Sequence, residues 1–261
     1  MFLNAAAASQ NATLGPETPR VQAELPIAMF RGSRLQGFVP PASGGPAFNI
    51  RKPPTVVYSL DDHVASRAVT PVQRAALREA VMARWSILVA GGTNSGKTTF
   101  CNALLREVTD CFPQDRVVIL EDTVEFQCCA QDHLALRTGD GLSLSALVRA
   151  SLRTSPNRII VGEVRGAEAL DLLDAWATGH PGGCGTVHAS SAEGALYRLD
   201  RLAQRSGAPP QRTLIAEAVD LVVVTEGGNS GRRVGDLARV DDLDASGDFI
   251  LRHLTAEGDW K

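Results

Sequence analysis

The segment Gly91-Gly92-Thr93-Asn94-Ser95-Gly96-Lys97-Thr98 fits the pattern G-x-x-x-x-G-K-[S/T], and Thr99 adds a second hydroxyl behind it. Residues of these types at this spacing bind phosphate. The glycines let the backbone wind tightly enough for successive N–H groups to point at one anion. A helix starting where the loop ends adds partial positive charge. Lys97 would reach the β- and γ-phosphates of a nucleoside triphosphate such as ATP, and Thr98 would ligate Mg2+. Lys52, Lys97 and Lys261 are the only lysines, so arginine supplies the rest of the 26 Lys+Arg. In a chain that avoids lysine, one at this place in the pattern points to function.

Such a loop works with a carboxylate at the end of a neighbouring buried strand, which holds the metal or orients the attacking water. Two segments offer one: Val117-Val-Ile-Leu-Glu121-Asp122-Thr-Val-Glu125 and Arg158-Ile-Ile-Val-Gly162-Glu163-Val-Arg165. An acid that closes an apolar run needs a polar cleft to face, which makes Glu121 and Glu163 the candidates. Asp122 and Glu125 read equally well as surface turn acids. The third informative stretch is Gly179-His180-Pro-Gly-Gly-Cys-Gly-Thr186-Val-His188-Ala189-Ser190. A lone histidine is most often a satisfied structural group, and no third ligand stands at a spacing that suits zinc.

The elements that must position these residues can be read from periodicity. A helix is expected over 71–84, with Thr70 as its cap and Pro71 at its first position. Beyond it, short apolar strands alternate with amphipathic helices. Strands are expected at 87–90, 117–120, 159–161 and 221–225, with a short one within the histidine segment. Helices are expected at 97–108, 142–153, 167–178, 192–204 and 213–219, and a terminal hairpin at 234–240 and 249–254. β-branched runs bounded by helix-length segments predict an α/β fold, a mostly parallel sheet flanked by helices. Residues 1–55 differ, holding eight of the 14 prolines. They read as disordered over 1–20 and as an incomplete β-rich domain and linker over 21–58, ahead of the nucleotide-binding domain at 59–261.

Composition narrows the function classes. With 26 Lys+Arg against 29 Asp+Glu the net charge is −3, which excludes a broadly basic nucleic-acid binder. Aromatics make up 5% of the chain, too few for a base-stacking platform. No apolar run approaches the roughly 18 residues of a membrane span, and no basic segment precedes an apolar core as in a signal peptide. A cytoplasmic protein is therefore expected. The five cysteines form no C-x-x-C pair, so neither a disulfide framework nor a zinc site is expected.

The order of the motifs carries a resemblance. Gly91–Thr98, then Glu121-Asp-Thr-Val-Glu125, then Gly162-Glu163-Val-Arg165, then Gly179-His180 through Thr186-Val-His188-Ala resemble the Walker A, Asp-box, atypical Walker B and His-box of the type II/type IV secretion ATPase superfamily. Gly162-Glu-Val-Arg-Gly-Ala-Glu-Ala-Leu-Asp-Leu-Leu173 and Gly179-His-Pro-Gly-Gly183 are most similar to the TrbB-type conjugative-transfer ATPases. Phe48-Asn-Ile-Arg51-Lys52-Pro53 resembles that family's junction between N-terminal domain and motor. The resemblance spans Val21 to the C-terminus.

It implies a RecA-like P-loop fold with a shortened N-terminal α+β element. It implies ATP and Mg2+ as ligands and ATP hydrolysis driving channel or pilus assembly or substrate transfer in conjugation. Glu163 and Glu121 would coordinate Mg2+ through water and activate the hydrolytic water, and His188, with His180, would sense the phosphates. Arg51 would close over the γ-phosphate, and Arg149, Arg153 and Arg165 are candidate interface arginines. The implied partners are five further copies in a homohexamer and conjugative channel components at the inner membrane, on which the protein would sit peripherally. Direct sequence-specific nucleic-acid binding is not expected. The chain departs from the pattern at Asn94, at Ser155 and Asn157, and in the few residues before the motor. Two other readings stay open here: an ATP-binding but inactive truncated subunit acting as a scaffold, and an enzyme of another class, a RecA-like DNA-acting ATPase or a P-loop kinase.

Overall fold

The computed structural model describes residues 2–9, 11–53, 55–139, 141–227 and 231–261. It divides into two compact units, Met1–Thr55 and Val56–Lys261.

The first unit is a three-stranded antiparallel sheet in the order β1 (Arg20–Glu24), β2 (Arg34–Phe38), β3 (Ala47–Arg51). Residues 1–20, expected to lack regular structure, carry α1 (Phe2–Ala8). Its four consecutive alanines favour a helix. Leu3, Ala6 and Ala7 then bury against Val21, Ala23 and Leu35, which gives the short helix the tertiary support it would lack alone. A single turn, α2 (Ile27–Phe30), links β1 to β2.

The second unit opens with α3 (Leu60–Ala65) and α4 (Pro71–Met82). Each starts in a capping box, with the hydroxyl of Ser59 or Thr70 accepting from the backbone of Asp62 or Gln73. The residues beyond form an eight-stranded sheet among β4 (Ile87–Gly91), β5 (Val117–Glu121), β6 (His133–Arg137), β7 (Arg158–Val161), β8 (Cys184–Val187), β9 (Leu221–Glu226), β10 (Arg233–Leu243) and β11 (Phe249–His253). The spatial order is β11-β10-β9-β4-β8-β7-β5-β6. Strands β9 through β6 run parallel, and β10 and β11 close one edge antiparallel.

Alternation along the strands sorts their side chains into two cores. Ile87, Val89, Val117, Ile119 and Ile160 pack beneath α4 and α5 (Lys97–Cys111). Leu88, Ala90, Val118, Leu120, Ile159 and Val161 pack under the opposite layer. That layer is α6 (Leu144–Ser151), α7 (Glu168–Ala177), α8 (Ala192–Ala203) and α9 (Arg212–Ala218). Edge strand β6 was not expected, although its alternation of exposed His133, Ala135 and Arg137 with half-buried Leu134 and Leu136 is a strand pattern.

The chain leaves β4 through α5 and re-enters at β5, skipping the places later filled by β8 and β7. It then returns to lay β8 beside β4 on one side and β9 on the other. The carboxyl ends of β4, β7 and β8 therefore flank a crevice at a topological switch point. At the opposite ends, Asp115 accepts from Arg84 Nη2 and Arg158 Nε, both at 2.8 Å. Arg158 is fully buried, donates Nη1 to Gly182 O at 2.8 Å, and stacks on Phe112 at 4.6 Å.

Candidate functional site

Loop 92–96 leaves β4 and turns directly into α5. Two left-handed residues shape it, Asn94 at φ 60° and Gly96 at φ 94°. Asn tolerates this region better than other side chains, so the sequence departure at Asn94 costs the loop little. Lys97 is 8% exposed, and its ammonium donates to Gly91 O at 2.9 Å and Gly92 O at 2.8 Å. The cation thus curls back over its own loop. Thr98 Oγ1 donates to Glu125 Oε2 at 3.0 Å.

The register of the parallel strands brings the acid and the histidine to the same place. Glu163 follows β7, and His188 follows β8, one strand away from the loop. His188 Nε2 donates to Glu163 Oε1 at 2.9 Å. Its Nδ1 faces the Lys97 ammonium at 3.5 Å and accepts from it. Arg165 Nη2 donates to Glu163 Oε2 at 2.6 Å, and its Nη1 lies 3.5 Å from Asp122 Oδ2. Burial works against the Glu163 charge. The Arg165 hydrogen bond and charge outweigh it, with help from His188 and Lys97, and hold the carboxyl below its ordinary value.

Glu121 is arranged differently. Its Oε1 accepts from the backbone N–H of Glu125 at 2.8 Å and of Phe126 at 2.9 Å, fixing the turn that follows β5. Burial raises its pKa despite those two bonds. The acid that reaches the loop is Glu125, read from sequence as an even choice between site and surface. Asn102 on α5 locks it there, donating to Glu125 O at 3.1 Å and accepting from Gln127 N at 2.8 Å. No sequence signal singled out Asn102, which stands in a helix whose apolar periodicity hides it.

One expected residue lies elsewhere in the second unit. His180 precedes β8 while His188 follows it, so the two stand at opposite ends of the strand. His180 Nδ1 sits 2.9 Å from Pro156 O at the foot of the sheet, which corrects its assignment to the phosphate region. Arg51 ends β3 of the first unit, in register with Arg34. Of the candidate interface arginines, Arg165 is engaged by Glu163, and Arg149 lies 3.4 Å from Asp171.

Beside the loop is a cavity of about 500 Å³ whose lining includes Tyr58, His63, Phe100, Thr99, Gly96 and Val234. That volume suits a small organic ligand. His63 lies between the rings of Tyr58 and Phe100 at 6.1 and 6.0 Å, and its buried Nε2 has no hydrogen-bond partner among the described residues. Burial lowers its pKa. Among the described residues, no group of three or more His, Cys, Asp or Glu could cage a metal ion, and no helix is long and apolar enough to cross a membrane.

Comparison with known proteins adds a family. The model of the family described as "Type II/IV secretion system protein" matches residues 14–226. The chain is 44% identical to the conjugal transfer protein TrbB of Rhizobium radiobacter over 225 residues, covering 86% of this chain and 69% of that protein. It is 31% identical to protein VirB11 of Agrobacterium fabrum, over 94% of this chain and 80% of that protein. Among solved structures it is similar to the VirB11 ATPase of the Brucella suis type IV secretion system in complex with sulphate. That match has TM-score 0.59 and 28% identity and covers 91% of this chain and 79% of that one. The fold is also that of the pilus retraction motor PilT, at TM-score 0.59 and 22% identity, covering 91% of this chain and 63% of that one.

Proposed function

The chain belongs to the type II/IV secretion system protein family, and from that premise we propose that it is the ATP-hydrolysing motor of a conjugative type IV secretion system. The observation that carries the reading is the convergence of Lys97, Thr98, Glu163 and His188 at the carboxyl ends of β4, β7 and β8.

ATP seats its phosphates on residues 91–98, and the adjacent cavity takes base and ribose. Lys97 exchanges the Gly91 and Gly92 carbonyls for phosphate oxygens. The donor set of one hydroxyl and nearby carboxylates suits Mg2+, an ion that keeps waters and takes its other ligands from phosphates. Thr98 would hold it directly and Glu163 through water, and it would neutralise charge on the β- and γ-oxygens. The Glu163 carboxylate accepts the proton of the attacking water as the bond between the γ-phosphorus and the β-bridging oxygen breaks. His188, bonded to Glu163, keeps that carboxylate turned toward Lys97. Glu121 acts at one remove, holding the turn that presents Glu125 to Thr98. Thr93, Asn94, Ser95, Gly96 and Thr99 complete the loop, and Arg51 is assigned to the γ-phosphate on the resemblance of residues 48–53.

The active form is a homohexamer in the cytoplasm, engaging channel components at the inner membrane. The test is ATP turnover by wild type, Lys97→Ala and Glu163→Gln, with mass measured by light scattering. Lys97-dependent turnover by a hexamer supports the reading. A monomer without turnover overturns it in favour of a scaffold, and turnover that needs single-stranded DNA overturns it in favour of a DNA-acting ATPase.

A further inference from the structure

Three residues at the facing ends of β9 and β10, Thr225, Gly227 and Arg232, touch the phosphate-binding loop. At the end of β9, Thr225 is buried, and its Oγ1 donates to Ala90 O at 3.0 Å and lies 2.9 Å from Ser95 Oγ. Ser95 Oγ in turn donates to Gly92 O at 2.9 Å. One residue past the strand, the backbone of Gly227 runs so close to the loop that an added Cβ would stand 3.1 Å from Ser95 Cα and 3.2 Å from Asn94 O. On the return, Arg232 Nε donates to Asn94 O at 3.1 Å, and its Cδ would stand 2.9 Å from a Cβ on Gly96. The three contacts fall on Asn94, Ser95 and Gly96, the segment that contains both left-handed residues of the loop.

A loop with two residues at positive φ is one of several conformations its backbone could sample, and ordering it at the moment of binding weakens affinity. The peptide joining Asn94 to Ser95 is held at both ends: Arg232 Nε donates to its carbonyl, and its N–H, on Ser95, donates to Gly92 O at 3.4 Å. Fixing that peptide fixes the turn that leads into α5. Among the described residues Arg232 is the hydrogen-bond partner of the Asn94 carbonyl, whereas Lys97 and Ser95 bond the carbonyls at 91 and 92.

We propose that Thr225, Gly227 and Arg232, at the facing ends of β9 and β10, brace the phosphate-binding loop in its anion-ready form, and that Arg232 is a positioning residue for nucleoside triphosphate binding through its bond to Asn94 O. The inference rests on the ATP reading for its ligand but concerns a residue outside the four family motifs. Arg232 also lines the cavity beside the loop, and in this proposal its effect on phosphate affinity runs through the loop backbone.

The experiment uses the full chain with Arg232→Ala, Arg232→Gln and Arg232→Lys. Affinity is read by calorimetry with ADP, and loop order by amide hydrogen exchange of residues 93–97 without nucleotide. Arg232→Ala is expected to weaken ADP binding about 10-fold, the effect of one charge-assisted hydrogen bond, and to speed exchange across the loop. In turnover the loss falls on KM more than on kcat. Arg232→Gln, which keeps a donor without the charge, restores most of the affinity. Rescue by lysine alone would overturn the brace in favour of direct charge on the nucleotide. Unchanged exchange in Arg232→Ala overturns it as well, and because that arm needs no nucleotide it judges the brace separately from the ATP reading.

Discussion

Replacing Asp115, a carboxylate only 6% exposed, by alanine should damage stability severely. Asp115 sits between Arg84 and Arg158 at the foot of the sheet, with 2.8 Å contacts to each. The Arg84 side chain is 36% exposed, so its half of the cluster resembles a surface pair worth at most about 1 kcal/mol. Arg158 is 0% exposed. Removing its partner leaves a guanidinium in the interior with only Gly182 O and the Phe112 face for company. Breaking a buried pair in this way costs about 3–5 kcal/mol. For a domain of this size that lowers Tm by roughly 6–20 °C. Urea titration followed by circular dichroism gives the free energy, and a thermal melt gives the shift. Substituting both partners, Asp115→Leu with Arg158→Met, should recover most of the loss, because the penalty is the unpaired charge and not the missing contact. A loss below about 1 kcal/mol in Asp115→Ala, or a double variant as weak as the single, would refute the reasoning.

The same cluster predicts acid sensitivity. Burial works against the Asp115 charge, yet the Arg84 and Arg158 hydrogen bonds prevail and hold its pKa below the ordinary 3.8. Its stabilisation is therefore complete above the unfolded value and drains away as pH falls below about 4 through the folded value; melts from pH 6 to pH 2.5 in wild type and Asp115→Asn should converge at the acid end. Gly183→Ala should lose at least 2 kcal/mol or so in a urea titration, since the new Cβ would lie 2.2 Å from Ile159 O and 2.4 Å from Trp176 Nε1. Glu163→Gln should still bind ATP while turnover falls by about 100-fold or more; a variant retaining half its turnover would remove Glu163 from the chemistry. Glu121→Ala strands the N–H groups of Glu125 and Phe126 and should cost about 1–3 kcal/mol, with Glu121→Gln, which keeps an acceptor, restoring most of it in the same denaturation assay.

Much of this was legible before the structure because burial leaves period-two and period-3.6 marks in sequence. Helix α4 announces itself through Thr70, Pro71 and Gln73, and the strands that start at 87, 117, 158 and 221 each contain an unbroken apolar run of three residues or more. Periodicity does not report which end of a strand a residue occupies in space. His180 and His188 look equivalent as letters, and chain direction through β8 separates them by the height of the sheet. Nor does it report long-range polar contacts. Glu125 and Arg232 lie outside helix and strand, where no regular pattern constrains the choice, and Asn102 on α5 owes its role to the turn that it meets. Helix α1 was missed because seven residues near a terminus are too short for propensity to decide, and packing against β1 and β2 decides instead.

Strand β4 is held by parallel ladders on both sides, four residue pairs with β8 and five with β9. Hydrogen bonds in such ladders lie across the strand, so a tug along its axis loads all of them at once and none can peel ahead of the others. The anchor of the phosphate-binding loop is thus stiff along the direction in which α5 and β4 run. Movement in the site is left to the turns after β5 and β7, which lie outside these ladders. In mechanical terms the sheet is the engine block, and work is drawn off at its loops.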